Sequence, residues 1–282
     1  MIGRVAVALS ILSLSVASAG SQTYPGLSFD QTIHASRSLN TTGDTSVAVL
    51  HFLTSRGNIR IDVEGQMPGA GNLQSGKRRS VMLLTDTGTK ITFLNPDEKQ
   101  YISLNPVTMM EGMKKMLESM GGQVIIDTAG TRLALDSLGP GPEVDGHPTL
   151  RYHLMTSLRM SVSMMGNPSG FEQQSVEDIL VASDLTDLGD VNASMTRLMD
   201  MGQAMGMAPE FTERAKALQR RIHGLPLRVT KVQTVKTNGR TRSSTQDIVV
   251  SNVKRIQIPA SAFAIPAGYT QLATPTLPSV NQ

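Results

Sequence analysis

The sequence predicts an α+β protein in which a curved antiparallel β-sheet, shaped as a half-barrel, carries helices packed on its concave side. Three observations support this prediction. Runs of alternating apolar and polar residues recur along the chain and are typical of strands with one buried and one solvated face. Short turn sequences separate these runs. A segment between the later strands, 190–223, has apolar side chains at helical spacing.

The first residues have the pattern of an export signal. Arg4 precedes an apolar run that ends in Ala17-Ser18-Ala19. A positive start, a short apolar core and an A-x-A end describe a secretory signal peptide, and the run is too short to span a bilayer. We therefore expect a signal peptide at 1–19, a single periplasmic or secreted domain at 20–269, and a disordered tail at 270–282.

Composition narrows the class of protein. The chain of 282 residues has a formal net charge of +3, no cysteine and 4% aromatic residues. A domain of this size can fold without disulfides, and no cysteine is present to carry a lipid. No later segment is long and apolar enough for a transmembrane helix. Basic clusters such as Lys77-Arg78-Arg79 lack interleaved aromatic residues, which argues against nucleic-acid binding. They fit solvated loops, with attraction to anionic head groups as the alternative.

The first half of the chain is predicted to be a meander followed by a helix. Its clearest strand is 57–64, where Ile59, Ile61 and Val63 alternate with charged residues. The other strands are expected at 27–36, 46–54, 80–85, 89–94 and 99–104. A helix should begin at Pro106 and end at Gly121-Gly122. Its apolar positions are Met109, Met110, Met113, Met116, Leu117 and Met120.

The second half contains a long alternating run. Leu150, Tyr152, Leu154, Leu158, Met160, Val162 and Met164 fall on one face of it. The run exceeds the usual strand length, so it predicts either a strongly curved strand or a hairpin bent near Thr156. Further strands are expected at 132–137, 175–182, 224–235 and 245–258. Asn238-Gly239 predicts a tight hairpin between the last two.

The segment 190–223 is predicted to form two helices inside this sheet. Asp190 can cap the first, and Pro209 lies near the start of the second.

Several short segments resemble a bacterial exported family of unknown function that is similar to the LolA/LolB-type lipoprotein carriers. They are Gly146-His147-Pro148-Thr149, Ala182-Ser183-Asp184-Leu185, Gly224-Leu225-Pro226-Leu227 and the closing 258–269. The resemblance covers most of the chain in layout and implies a half-open antiparallel barrel with helices lining or lidding its concave side. It also implies that acyl chains are held in that cavity. It assigns no functional residue.

Most of the 17 methionines fall into three groups, at 109–120, 155–165 and 195–207. Methionine adapts to irregular apolar partners, which favours a cavity for a hydrophobic ligand. Thioethers also suit copper(I), and an ordinary core is the plain alternative. For a ligand cavity, the predicted lining residues are Met110, Met113, Leu117, Met120, Tyr152, Leu154, Met160, Val162, Met195, Leu198 and Met199.

The sequence gives little support for a catalytic or metal-binding site. The five histidines are scattered singly, without the short spacing of a zinc site. Asp184, Asp187 and Asp190 lack the order of a calcium loop and suit a helix start. Ser169 lacks the spacing of a nucleophile elbow, and Glu177-Asp178 point to opposite faces of a strand.

We therefore expect a non-enzymatic carrier for a hydrophobic ligand, lipid or lipoprotein in the bacterial cell envelope, without cofactor or metal. The alternative is an envelope interaction or sensor module that uses the same fold to bind a protein partner without cargo.

Overall fold

A computed structural model describes residues 22–39, 41–64, 79–119, 123–127, 130–164, 167–186, 209–237 and 239–273. Within these ranges, thirteen strands join into one open sheet and two α-helices lie between strands. The strands are β1 (Thr23–Leu39), β2 (Thr41–Ser55), β3 (Asn58–Glu64), β4 (Ser80–Thr85), β5 (Lys90–Asn95), β6 (Gln100–Leu104), β7 (Gln123–Ile126), β8 (Arg132–Val144), β9 (His147–Met164), β10 (Asn167–Ala182), β11 (Pro226–Thr237), β12 (Arg240–Pro259) and β13 (Thr270–Gln271). The helices are α1 (Pro106–Ser119) and α2 (Pro209–Gln219).

The strand order is β13-β6-β5-β4-β3-β2-β1-β12-β11-β10-β9-β7, and β8 also pairs with β9. All pairs are antiparallel except β13 with β6. β1 lies in the middle and joins the early strands to β12 near the end of the chain. β7 and β8 lie end to end along one edge of β9, because β7 pairs with its last residues and β8 with its earlier ones.

The turns follow local sequence. Asp145 and Gly146 both have positive φ, at 52° and 77°, which is the conformation of a two-residue turn that suits the twist of a hairpin. This turn joins β8 to β9. The predicted hairpin between β11 and β12 is present, since Thr237 pairs with Arg240; Asn238 lies outside the described residues.

The register divides the sheet into two faces, because directly opposed residues of antiparallel strands point the same way. We call the apolar face the one that carries Phe29, Phe52, Ile61, Tyr152 and Ile179; each of these contributes to or packs on a buried cluster. Phe29 and Phe52 stack with ring centroids 4.8 Å apart. This face supplies most of the described core.

We call the opposite face the polar face, and it carries Arg60, Arg159 and Glu172. At the β4–β6 end this face is also covered, since Val81, Leu83 and Leu94 pack with Tyr101, Ile265 and Tyr269. The closing segment is held there by the Arg60 guanidinium, whose Nη1 donates to the Ala262 carbonyl at 3.2 Å.

Helices have a small part in the described fold. Leu218 of α2 and Ile222 just beyond it pack on the cluster formed by Leu135, Tyr152, Ile179 and Val181. α1 and α2 have 14 and 11 residues, whereas β9 and β12 alone have 18 and 20.

The predicted α+β class, a half-barrel with helices packed on its concave side, is therefore wrong: one large open sheet dominates the structure. Alternation in the sequence underestimates the share of the chain that forms strands, because cross-strand hydrogen bonds extend strands into residues that do not alternate. Gly139–Val144 of β8 is an example.

Parts of the predicted layout lie outside the described residues. They are the signal peptide at 1–19, the first helix of segment 190–223, and the tail beyond Ala273. Thr270 and Gln271, the predicted start of that tail, form β13.

Candidate functional site

The long alternating run forms a single strand, β9, without a break at Thr156. Of the predicted lining residues, Tyr152, Leu154 and Met160 lie on its apolar face. Tyr152 is buried against Ile179 and Val181, while Leu154 and Met160 are half-buried. The structure thus brings these three predicted residues together on one surface.

Val162 continues the same strand two residues beyond Met160, where it pairs with Val124 of β7. The other predicted lining residues do not belong to β9. Met110, Met113 and Leu117 are in α1. Met120, Met195, Leu198 and Met199 lie outside the described residues.

A charged pair interrupts the apolar face. Lys231 Nζ of β11 lies 2.9 Å from Glu177 Oε1 of β10, and Glu177 is directly opposite Leu154. The neighbouring row of opposed residues on this face is also polar, and consists of Thr156, Ser175, Gln233 and Ser244. Sequence analysis missed this band because alternation on β9 alone does not show what the neighbouring strands place beside it.

The polar face carries a groove of about 590 Å³ between the end of β7 and the start of β8. It is lined by Asp127, Gly130, Arg132, Ser157, Arg159, Glu172 and Gln174. None of these was a predicted site residue. The sequence indicates this groove only through the polar residues of the alternating run, since Ser157 and Arg159 alternate with Leu158 and Met160.

Asp127 and Gly130 form the groove wall between β7 and β8. The Asp127 amide donates to the Arg159 carbonyl at 2.9 Å. Asp127 Oδ1 accepts from the Gly130 amide at 3.0 Å, and its carbonyl accepts from Thr131 Oγ1 at 2.8 Å. These bonds hold Asp127 against β9 and place its carboxylate beside the Arg159 side chain.

Three histidines have carboxylate partners on neighbouring strands or turns. His51 pairs with Asp30, His147 Nδ1 lies 2.8 Å from Asp184 Oδ2, and His153 Nδ1 lies 3.1 Å from Asp178 Oδ1. The hydrogen bonds from His153 and from His147 lower the pKa of Asp178 and of Asp184, respectively. Asp184, which sequence analysis placed at a helix start, thus contacts His147.

Within the described ranges, no three histidine or carboxylate side chains gather closely enough to hold a metal ion. None of the helices in that part of the chain has the length and apolar character needed to cross a membrane.

Neither protein-family models nor curated proteins show a match to this chain. The likeness to lipoprotein carriers therefore rests on the short motifs of the sequence alone.

Proposed function

We propose that the protein is an exported, non-enzymatic binding protein that holds a hydrophobic ligand, such as an acyl chain, on the apolar face of β9–β11. The proposal rests on the apolar residues on one face of β9 from Leu150 to Met160, which are interrupted within the strand by Thr156. The polar row of Thr156, Ser175 and Gln233 divides this face, and the proposed ligand surface is the part beyond that row, around Leu158 and Met160.

Neighbouring strands widen this surface. Phe171 of β10 is opposite Met160, and Gln173 is opposite both Leu158 of β9 and Val235 of β11. Phe171, Val235 and Met160 are half-buried, and Leu158 is 7% exposed. Among the described helical residues, Leu218 and Ile222 cover only the part of the face near Tyr152. This leaves Met160, Phe171 and Val235, which are half-buried and lie beside the buried Leu158, as the proposed contact with the ligand.

Binding is tested with a fluorescent fatty acid and with native mass spectrometry of protein purified from bacterial envelopes. We expect co-purifying lipid and saturable displacement of the probe. Met160→Gln should weaken binding because it places an amide on the apolar face. Met155→Gln is the matched control, since Met155 is on the same strand but faces the other way and is 43% exposed. No lipid and no displacement would contradict the proposal.

Export is tested separately. The mature protein should be found in the periplasm or medium with its N-terminus after Ala19, the cleavage position that the A-x-A pattern predicts. Mass spectrometry of the intact secreted protein measures this. Retention of residues 1–19 in the folded protein would contradict export by a cleaved signal.

One observation favours the alternative of an interaction module. Met155, Val176 and Val232 are directly opposed on three adjacent strands of the polar face and are 41–45% exposed. An apolar row on an otherwise polar surface is typical of protein contact sites. If the protein is such a module, a photo-crosslinking residue in place of Val176 should capture one envelope protein. The purified module itself should carry no lipid.

A further inference from the structure

The groove on the polar face is on the opposite side of the sheet from the proposed ligand surface, and its lining is almost entirely polar. Arg132 and Arg159 are diagonal neighbours on β8 and β9, because Arg132 is opposite Ser157. Side chains in such positions are close enough to contact one ligand group. We propose that these two guanidinium groups bind a monoanionic oxyanion, the carboxylate or phosphodiester of a small ligand.

The Arg159 guanidinium has only long contacts with the two carboxylates beside it. Its Nη1 is 3.7 Å from Asp127 Oδ2 and its Nη2 is 3.6 Å from Glu172 Oε1. Hydrogen-bonded pairs of guanidinium and carboxylate are about 2.7–2.9 Å long. The Arg159 side chain is also 55% exposed. Its N–H groups are therefore positioned between two carboxylates without a close bond to either, and they can turn to a ligand in the groove.

Arg132 supplies the second cation. It is exposed at the start of β8 and makes no ion pair with another residue of the described ranges. Its cross-strand neighbour Ser157 and the next residue along that row, Gln174, contribute a hydroxyl and an amide to the same groove. Arginine binds oxyanions through two parallel N–H donors, and the neutral donors can complete the set.

The charges around the groove indicate which anion it prefers. In the lining, Arg132 and Arg159 balance Asp127 and Glu172, and Lys236, which is outside the lining but pairs with Glu172, leaves one positive charge in excess. Lys236 Nζ lies 3.8 Å from Glu172 Oε2. A single negative charge balances this excess, whereas the two carboxylates repel a dianion. The groove therefore suits a carboxylate or a phosphodiester better than inorganic phosphate.

The absence of a side chain at Gly130 leaves room for the Asp127 carboxylate and the Arg159 guanidinium. A Cβ at this position would lie 2.5 Å from Asp127 Oδ2 and 3.3 Å from Arg159 Nη1. Any larger residue must displace the Asp127 carboxylate, the Arg159 guanidinium or both.

The test is an NMR titration of the arginine Nε–Hε signals in the full chain. Dimethyl phosphate represents the phosphodiester and N-acetylglycine the carboxylate. We expect saturable shifts of the Arg132 and Arg159 signals. Arg132→Gln and Arg159→Gln should each weaken binding about tenfold, the factor that corresponds to a lost charge-assisted hydrogen bond.

Arg151→Gln is the matched control, because Arg151 is exposed on the same face of β9 but lies outside the groove lining. It should bind both probes as the original protein does. Gly130→Ala gives an independent check, since it should weaken binding while both arginines remain. Circular dichroism confirms that each variant is folded.

The two probes distinguish the source of the anion, and binding of either one or both supports the proposal. It is overturned if neither probe shifts the groove arginines, or if Arg151→Gln weakens binding as much as Arg159→Gln does. These results do not depend on whether the apolar face binds lipid.

Discussion

Lys231 and Glu177 form an ion pair of 2.9 Å on the apolar face, where their side chains are 26% and 18% exposed. We expect Glu177→Gln to lower the free energy of unfolding by about 1–3 kcal/mol, between the values for exposed and for buried pairs. The reason is that Lys231 remains charged in a half-buried position without its partner. Urea denaturation at neutral pH measures the change.

The matched control removes both charges. Glu177→Gln combined with Lys231→Met leaves no uncompensated ion and should recover most of the lost stability. If the single variant is as stable as the original protein, the ion pair does not contribute to the free energy of unfolding.

The hydrogen bond between His51 and Asp30 predicts a pH dependence. This bond raises the pKa of His51 above its usual 6.5, while burial opposes the shift. Because the folded pKa is the higher one, the stabilisation is fully present below pH 6.5 and is lost as the pH rises through the folded value. We expect His51→Gln to remove this decline in the free energy of unfolding, measured by urea denaturation at a series of pH values.

His223→Gln is the control for that series, because His223 is exposed and makes no ion pair within the described residues. Its profile should run parallel to that of the original protein. A decline of the same size in His51→Gln would show that another group causes it.

Asp247 predicts the opposite dependence at acid pH. Arg228 Nε and Nη2 donate to its carboxylate at 3.1 and 3.0 Å, and Thr230 Oγ1 donates at 3.0 Å. The bonds from Arg228 are the main cause that lowers the pKa of Asp247, against burial, which raises it. A lowered folded pKa contributes stability above the usual value of 3.8, and this is lost as the pH falls through the folded value.

Asp247→Asn should therefore lose stability at neutral pH and show a shallower decline in acid. Asp97→Asn, in the exposed turn between β5 and β6, is the control and should decline as the original protein does. Acid titration followed by circular dichroism measures both. Equal declines in the two variants would count against the role of Asp247.

Gly224 precedes β11 with φ of +116°. An added Cβ would overlap the Ala182 carbonyl oxygen and lie 3.0 Å from Val181 Cγ1. We expect Gly224→Ala to cost about 2–4 kcal/mol of unfolding free energy, since backbone strain and overpacking add. Chemical denaturation measures it.

Gly146→Ala separates the two causes. Gly146 also has a positive φ, but a Cβ there would meet nothing within 4 Å. Its cost should be about 1–2 kcal/mol, from backbone conformation alone. Equal costs for the two variants would contradict the close approach at Ala182.

Local patterns in the sequence predicted the elements better than their arrangement. The alternation of Tyr152 and Leu154 with Arg151 and His153 identified the two faces of β9, and Asn238-Gly239 identified a hairpin. Pairing of β1 with β12 was not predictable in this way, because the opposed residues Ile33 and Ile248 are separated by most of the chain.

The candidate sites show the same limit. Tyr152, Leu154 and Met160 share one strand, so alternation alone placed them on one face. Arg159 and Glu172 belong to one site only because the β9–β10 register opposes them. A shift of one residue would put these two side chains on opposite faces. No local signal in either strand specifies that register.

The edge strands of the sheet affect whether copies of the protein associate at high concentration. At one end, β13 hydrogen-bonds to β6 in parallel and occupies part of its outer edge. At the other, β8 contains Pro140 and Pro142, which have no amide hydrogen to offer a neighbouring chain. These features leave β6 and β8 with fewer free backbone groups to pair with a strand of another copy. At these two strands, edge-to-edge association between copies of the protein is therefore disfavoured.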